Sequence, residues 1–424
     1  MIDWIVKCLK ESSADAWEIT DEKITGWEFY FIGHRLDQNR ARDVEQISVK
    51  VYRKFDEFLG SAAAEIPVTA SKEEVKQKIA LLLEEALLVK NPVYALNMPK
   101  AIAKESDAPL DLRAIAKDYL EVMNDLAETD SEFVNSYEIF TEIHEVRFMN
   151  SNGIDVKSTY PSSLAEVVVN AKDASHEIEL YRMYKSGTCD RTGLGKEIEA
   201  TMRFGKDRLH TEKTPNLGSY DVLFSTDASL QLYDFFISRM NASMKYRKLS
   251  DWETGEYVAE PLGKDRITVW ARKSLPNSSS NCSFDSEGAP VRDCVLIEEG
   301  IAKNFVGARQ YAQYLGLEDT FIPGNYEVCP GSESEEELRE GSFLEIVEFS
   351  DFQADAITGN IAGEIRLGYL HENGRVRAVS GGSVSGSMFD FAKTMRFSKN
   401  QKQYDSRIIP SVTRLAGVTV TGSE

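Results

Sequence analysis

The 424-residue sequence predicts an α+β protein of two domains. Residues 1–213 form an N-terminal α+β domain, with a mixed or antiparallel sheet and two long helices. Residues 214–424 form a C-terminal, mostly β, barrel-like domain. Three observations carry this reading. Apolar and polar residues alternate with a period near two over long stretches of both halves, the pattern of half-buried antiparallel strands. Two segments of the first half instead place apolar residues at helical spacing. The texture then changes near residues 212–218, where Thr214, Pro215, Asn216 and Gly218 cluster. The length exceeds one ordinary core. With 42% hydrophobic and 28% charged residues, both halves can bury one.

The first element is an amphipathic helix within MIDWIVKCLKESSADAWEI. Charges at Asp3, Lys7 and Lys10 and the lack of a small-residue cleavage site set it apart from a signal peptide. Residues 15–66 read as antiparallel strands (AWEIT, WEFYFIG, ISVKVYR, FDEFLGSAAAEIP), with residues 33–46 as a connection. Residues 70–90 read as a helix. Ser71 and Glu74 have the spacing of a capping box, and Val75, Ile79, Leu82, Leu83, Ala86 and Leu87 fall on one face. Residues 109–128 repeat the pattern, with Asp111 as cap and Ile115, Leu120, Met123 and Leu126 on the apolar side. Two alternating runs follow, separated by Asn152-Gly153, a hairpin signal because both residues tolerate positive φ. A helix over 194–210 closes the first domain.

The second half opens with a helix over 227–246, DASLQLYDFFISRMNASMKY, with Asp227 as its cap. Strands follow at RITVWA, CSFDSEG, RDCVLIEEG and IAKNFV, then a short helix in ARQYAQYLG. Alternation resumes over 342–379 around a second hairpin turn, Asn373-Gly374. A helix near 386–396 and a strand near 413–421 end the order.

Charge narrows the function classes. Lys and Arg number 49 against 69 Asp and Glu, a net −20, which repels phosphate backbones and anionic lipid. The reading is no nucleic-acid partner. No run of ~18 apolar residues occurs, so no membrane partner is expected. The five cysteines (Cys8, Cys189, Cys282, Cys294 and Cys329) are odd in number and contain no CxxC pair. They read as reduced thiols of a cytoplasmic chain.

The five histidines make a short metal search. His144, His176 and His371 each precede a glutamate, yet four positions on stand Phe148, Leu180 and Arg375, and five positions on Met149, Tyr181 and Val376. Neither HExxH nor HExxxH exists, so no metal ligand and no cofactor is expected. Gly382-Ser383-Val384-Ser385-Gly386 has the wrong register for a nucleophile elbow. Thr192-Gly193-Leu194-Gly195-Lys196 lacks phosphate-loop spacing and reads as a helix-capping turn. The candidates left for chemistry are Asp285 and Glu287, two apart and so on the same side of a strand. Paired carboxylates can share a proton, bind a metal or hold a basic peptide group. The plain alternative is a solvated turn ended by Gly288 and Pro290.

The order of several segments resembles the TldD/PmbA family. Asp285, Glu287 and Gly288 match its D-x-E-G turn. Leu296-Ile297-Glu298-Glu299-Gly300 is similar to the strand that follows, and Ala308 to Gly316 to the next helix. Asn150-Ser151-Asn152-Gly153 resembles its first-domain strand-turn. LGSYDVLFSTDASLQLYDFF resembles the opening of its second domain, and Gly359 to Tyr369 a late strand. Ile47 to Arg53 matches the first-domain "gvRv" strand only loosely. The resemblance implies the two-domain fold and a link to metallopeptidases. TldD-type members carry HExxxH on the helix that opens the second domain, plus a later ligand. Here that helix reads Leu230-Gln231-Leu232-Tyr233-Asp234-Phe235-Phe236-Ile237, and no cysteine follows Cys329. The sequence therefore resembles the PmbA (TldE) type, which lacks the motif. That implies a non-catalytic subunit whose partner is a TldD-type catalytic chain or a second copy, as a dimer, with an extended peptide as possible ligand. Two alternatives stay open: a hydrolase using Asp285 and Glu287, and a homo-oligomeric peptide-binding or structural protein.

Overall fold

The computed structural model describes residues 1–102, 110–260, 262–317 and 319–423. The first helix, α1 (Ile2–Glu11), buries Ile5, Cys8 and Leu9. Two very long strands follow, β1 (Ala16–Ile32) and β2 (Arg35–Phe55). Only Gly33, at φ 56°, and His34 turn between them. The expected connection over 33–46 is therefore corrected: residues 35–46 continue the strand, paired with β1 from Arg35↔Ile32 to Gln46↔Glu22. Nearly all their side chains are exposed, so no apolar alternation marks them. The backbone ladder, not burial, keeps them extended.

β3 (Phe58–Ile66) precedes α2 (Lys72–Ala86). The capping box is present: Glu74 N donates to Ser71 Oγ at 3.3 Å, and Ser71 N to the Glu74 carboxylate at 2.7 Å. Val75, Ile79, Leu82, Leu83 and Ala86 are buried as expected, while Leu87 ends the helix exposed. After β4 (Asn91–Pro92) comes α3 (Leu112–Asp125), with Asp111 accepting from the N–H groups of Arg113 and Ala114. The expected first residue of this segment, Pro109, lies outside the described residues. The sheet is completed by β5 (Glu132–Asn150), β6 (Asp155–Lys172) and β7 (Glu177–Ser186), in the order β4-β3-β2-β1-β5-β6-β7. Every neighbour pair is antiparallel. The Asn152-Gly153 hairpin exists with a longer loop: only Gly153 has positive φ, and the Asn150 side chain accepts from the N–H groups of Asn152 and Ile154. α4 (Arg191–Arg208) starts earlier than read. Residues 192–196 are its first turn, capped by Asp190.

All four helices lie on one face of the sheet. Ile19, Val49 and Met149 share a register row and pack under α1 and α2. Ile139, Ala165 and Val167 pack under α3 and α4 at the other end.

The second half contains β8 (Glu212–Lys213), β9 (Gly218–Phe224), α5 (Ser229–Arg239), α6 (Ala242–Tyr246), β10 (Val269–Arg272), β11 (Cys294–Glu298) and β12 (Ile301–Ala302). Next come α7 (Arg309–Tyr314), β13 (Asn325–Val328), α8 (Glu335–Leu338), β14 (Phe343–Ala354), β15 (Asn360–Glu372) and β16 (Arg375–Ser380). β17 (Ser383–Ser387), α9 (Met388–Phe391), β18 (Arg396–Phe397), β19 (Gln401–Tyr404), β20 (Arg407–Pro410) and β21 (Thr413–Thr421) finish the chain. One sheet runs β14-β9-β21-β17-β15-β16-β8, and β14 also pairs with β15. The ring β14-β9-β21-β17-β15 thus closes on itself, which is the expected barrel-like core. Val222, Phe224, Ile346, Val384, Leu415 and Val418 belong to that core, with α5 against it. A second sheet runs β12-β11-β10-β13-β20-β19.

Four local readings are corrected. The helix over 227–246 is two helices broken at Met240-Asn241, where Asn241 caps α6 by accepting from Ser243 N. Asp227 caps nothing; α5 starts at Ser229, whose Oγ donates to Thr226 O at 2.5 Å. CSFDSEG is a turn with one isolated bridge, Phe284↔Pro290, and not a strand. The helix near 386–396 is the single turn α9. The second hairpin turn is as expected, with Asn373 at φ 52° and Gly374 at φ 72°.

Candidate functional site

α5 carries residues 230–237, the segment that resembles the metal-binding helix of TldD-type proteins, and its composition decides what it can hold. Leu232, Tyr233, Phe235 and Phe236 are buried. Phe235 and Phe236 pack on Trp252, and the Tyr233 hydroxyl lies 2.6 Å from Thr413 Oγ1. Asp234, the one carboxylate of the helix, meets Arg407 Nε at 3.3 Å. Phenylalanine rings in a barrel core offer no metal-ligand atoms, the Tyr233 hydroxyl is engaged by Thr413, and an arginine-bound carboxylate supplies one ligand group at most. These residues do not fit a catalytic zinc, which needs three protein ligands and an open position. Among the described residues, no three His, Cys, Asp or Glu side chains converge as a metal site.

Four of the five histidines are engaged elsewhere. His144, on β5, stacks on Tyr160 and lies between Glu22 (Nδ1 to Oε1, 2.8 Å) and Glu142 (Nε2 to Oε2, 3.4 Å). Burial opposes its charge, but the two carboxylates outweigh burial and lift its pKa to about 9. His34 pairs with Glu128 and His176 with Asp173, while His371 stacks on Phe343. All five cysteines are free thiols.

Beside the start of α5 the fold leaves a cleft of about 860 Å³. Its walls are β7, α4, Thr226-Asp227 with Leu230, and the β19–β20 hairpin. That hairpin turns at Asp405, φ 46°, and escaped the sequence reading, since four-residue strands carry little alternation. Asp405 is fixed by accepting from Ser279 N (2.8 Å) and Ser279 Oγ (2.7 Å). Two ion pairs lie in the wall: Arg182 with Glu348, and Lys402 Nζ with Glu197 Oε1 at 2.5 Å. Tyr119, Tyr184, Phe204, Leu230 and Tyr404 supply apolar surface. The Tyr404 phenol is held above its ordinary pKa by burial, then by Glu197 and Asp227.

The carboxylates singled out by sequence lie away from this cleft, in the seam between the two halves. They do not share a strand face. Asp285 is buried at the head of a tight turn and accepts from Glu287 N (2.9 Å), Ala289 N (2.9 Å) and Ile322 N (2.7 Å). Glu287 points the other way and accepts from Arg309 N at 2.7 Å, at the head of α7. Its carbonyl receives Asn97 Nδ2 at 3.0 Å, and Asn150 Nδ2 reaches Asn97 O at 2.9 Å. Gly288 closes the turn at φ +72° against Phe148, and an added Cβ would lie 2.6 Å from that ring.

The solvated-turn alternative is therefore corrected too, since both groups are desolvated. Burial pushes Asp285 up and its amide bonds pull it back. Burial, the Arg309 amide opposing it, and the nearby charges of Asp285 and Glu18 leave Glu287 at about 7. Glu18, on β1, is also raised by burial, against the 2.6 Å bond it receives from Tyr52 Oη. No local pattern marks Glu18, because Tyr52 lies 34 residues away in sequence.

Comparison with known proteins agrees with this architecture. The model of the PmbA/TldA metallopeptidase C-terminal domain matches residues 217–422. An uncharacterized protein of Methanocaldococcus jannaschii is 22% identical over 330 residues, covering 74% of this chain and 76% of that protein. Metalloprotease PmbA of Escherichia coli O157:H7 is 26% identical over 198 residues, covering 44% of this chain and 41% of that protein. The crystal structure of TldE from Thermococcus kodakarensis superposes with a TM-score of 0.80 at 18% identity, over 100% of both chains. With the barrel, the seam turn and the order of elements all in place, the chain belongs to the TldD/PmbA family, which is related to metallopeptidases.

Proposed function

We propose that this chain is a zinc-less, PmbA/TldE-type member of its family, which supports peptide processing by a zinc-bearing relative and does not cut on its own. One observation carries the reading: α5 presents Tyr233, Phe235 and Phe236 to a packed core and carries no imidazole. Without such ligands no bound water can be brought to a neutral pKa. The N-terminal domain, residues 1–213, and the C-terminal domain, 214–424, then serve as the walls of a binding cleft. The assembly is a dimer, with a TldD-type chain or with itself. Five free thiols suit a reducing, cytoplasmic compartment. Among the described residues no helix is long and apolar enough to cross a membrane.

The hydrolase reading has less support, because Asp285 and Glu287 are tied to backbone amides outside the cleft. The test is an assay of the purified chain against a peptide library, alone and mixed with an HExxxH relative, with light scattering of each mixture. The expected result is no turnover alone and a hetero-oligomer on mixing. Turnover by the isolated chain, lost in Glu287→Gln, would favour the hydrolase. A homodimer indifferent to every such relative would favour the self-assembling alternative.

A further inference from the structure

Residues 91–98, which are β4 and the segment after it, belong to the first half and lie against the second. Tyr314 Oη and Gln313 Nε2 of α7 donate to Pro92 O and Ala95 O, and Gln313 Oε1 accepts from Ala95 N at 2.9 Å. Asn97 Nδ2 donates to Glu287 O at 3.0 Å. Asn150 and Asn152, at the β5–β6 turn, donate back to Asn97 O and Leu96 O. The buried Tyr94 ring stands edge-on to Tyr52 of β2 and to Tyr314. This segment is a strap across the seam. Its bonds to α7 lie at the surface, where water competes for them and each contributes little net stability. What lies beneath therefore decides whether it stays closed.

Three carboxylates gather there from both halves. Glu18 and Asp285 are 8% and 7% exposed, and Glu287 is half-buried beside them. The charge of Asp285 acts on Glu18 and Glu287, that of Glu18 on Glu287, and both glutamates act on the Tyr94 phenol. Asp285 accepts from three backbone amides and is the one best able to stay ionised. Glu18 has a single donor, Tyr52 Oη, and Glu287 a single donor, Arg309 N. The nearby cations do not make up the deficit. Lys50 Nζ lies 5.0 Å from the centre of the Tyr52 ring and forms no ion pair among the described residues. Arg292 is 3.2 Å from Asp319, which Lys100 also holds at 2.6 Å. Arg309 Nε donates to Ala95 O at 3.4 Å. Two further like charges so poorly solvated cannot both be kept at low cost, and one proton between Glu18 and Glu287 relieves them.

We propose that residues 91–98 are a proton-controlled strap, closed across the seam while Glu18 and Glu287 carry one proton between them and lifting from α7 when that proton leaves to solvent. Opening hydrates both carboxylates and uncovers Tyr94 and Leu96, which now pack with Tyr52 and Leu59. The strap thus sets access to the seam between the halves. This goes beyond the function proposed above and does not depend on whether the chain or a relative cuts.

The test is hydrogen-exchange mass spectrometry of the full chain between about pH 6 and about pH 8.5, with exchange at residues 91–98 expressed as protection factors so that the chemical effect of pH cancels. Glu287 titrates at about 7 with the strap closed, against an ordinary 4.5 when solvated. A raised carboxyl pKa favours the closed form at low pH, and the advantage is lost as pH rises through 7. Protection at 91–98 should therefore fall about tenfold over that range, while β15 in the barrel keeps its own. Glu287→Gln keeps an acceptor for Arg309 N and cannot ionise, so its protection should stay within about twofold across the range. Glu18→Gln keeps an acceptor for Tyr52 Oη and removes the charge that acts on Glu287, so the midpoint of the fall should move to lower pH. Wild-type protection at 91–98 that is flat with pH, or that falls equally in Glu287→Gln, overturns the proton's control of the strap. A midpoint that Glu18→Gln leaves in place overturns the sharing of that proton between the halves.

Discussion

Glu287 shows how much a single side chain in the seam can report. Its pKa is about 7 in the folded protein against an ordinary value of 4.5. A raised carboxyl pKa means that the fold binds the proton more tightly than the unfolded chain does. The resulting stability is fully present below about pH 4.5 and is lost as pH rises through about 7, a difference on the order of 3 kcal/mol at most. His144, lifted to about 9, adds a loss of the same sign between its ordinary 6.5 and 9. The comparison must therefore be between variants, not along one curve. Glu287→Gln keeps an acceptor for Arg309 N and cannot ionise. Its melting temperature should fall less than that of wild type between pH 5 and 8, and should exceed wild type at pH 8. Parallel curves would mean that Glu287 is not held protonated by the seam. At Gly288 the prediction is steric: Gly288→Ala forces a Cβ onto the Phe148 ring at positive φ, costing roughly 2–4 kcal/mol in chemical denaturation.

Among the elements, what could be read from the sequence follows the strength of local signals. The capping box at Ser71 and Glu74, the Asp111 cap and the Asn373-Gly374 turn all rest on contacts within a few residues, and all are present. Ser71→Ala should cost about 1 kcal/mol, read as a shift in urea midpoint without a change in slope. Residues 35–46 and the β19–β20 hairpin were invisible for the opposite reason. Their strands are held by backbone ladders across tight hairpins, with exposed or very short faces that carry no periodicity. The break at Asn241 was missed because the apolar pattern runs through it. The Asn241 side chain nevertheless caps a new helix there, and its backbone bridges to Val306.

At the scale of the whole molecule, the family and its two-part architecture were legible because motif order survives where identity is low. Of the site, the sequence showed which residues α5 carries and not the cleft beside it. The α5 segment declares the lack of imidazoles outright, whereas the cleft is assembled from β7, α4, α5 and a hairpin drawn from both halves. No local pattern announces such a cavity. The misplacement of Asp285 and Glu287 has the same origin: their spacing suggested a shared face, but a turn buried against β1 and α7 sends them to different amides. The seam is fastened by β4 and the segment after it, where Tyr314 Oη donates to Pro92 O at 2.5 Å and Gln313 Nε2 to Ala95 O at 2.5 Å. Tyr314→Phe should loosen this fastening and raise amide hydrogen exchange at residues 91–98 while leaving the barrel strands protected.

The most direct measurement is the zinc content of the pure chain after exhaustive dialysis, by elemental mass spectrometry. A polypeptide whose second-domain helix is built from core aromatics should retain far less than one zinc per chain. One tightly held zinc per chain, lost together with peptide cleavage on chelation, would contradict the account.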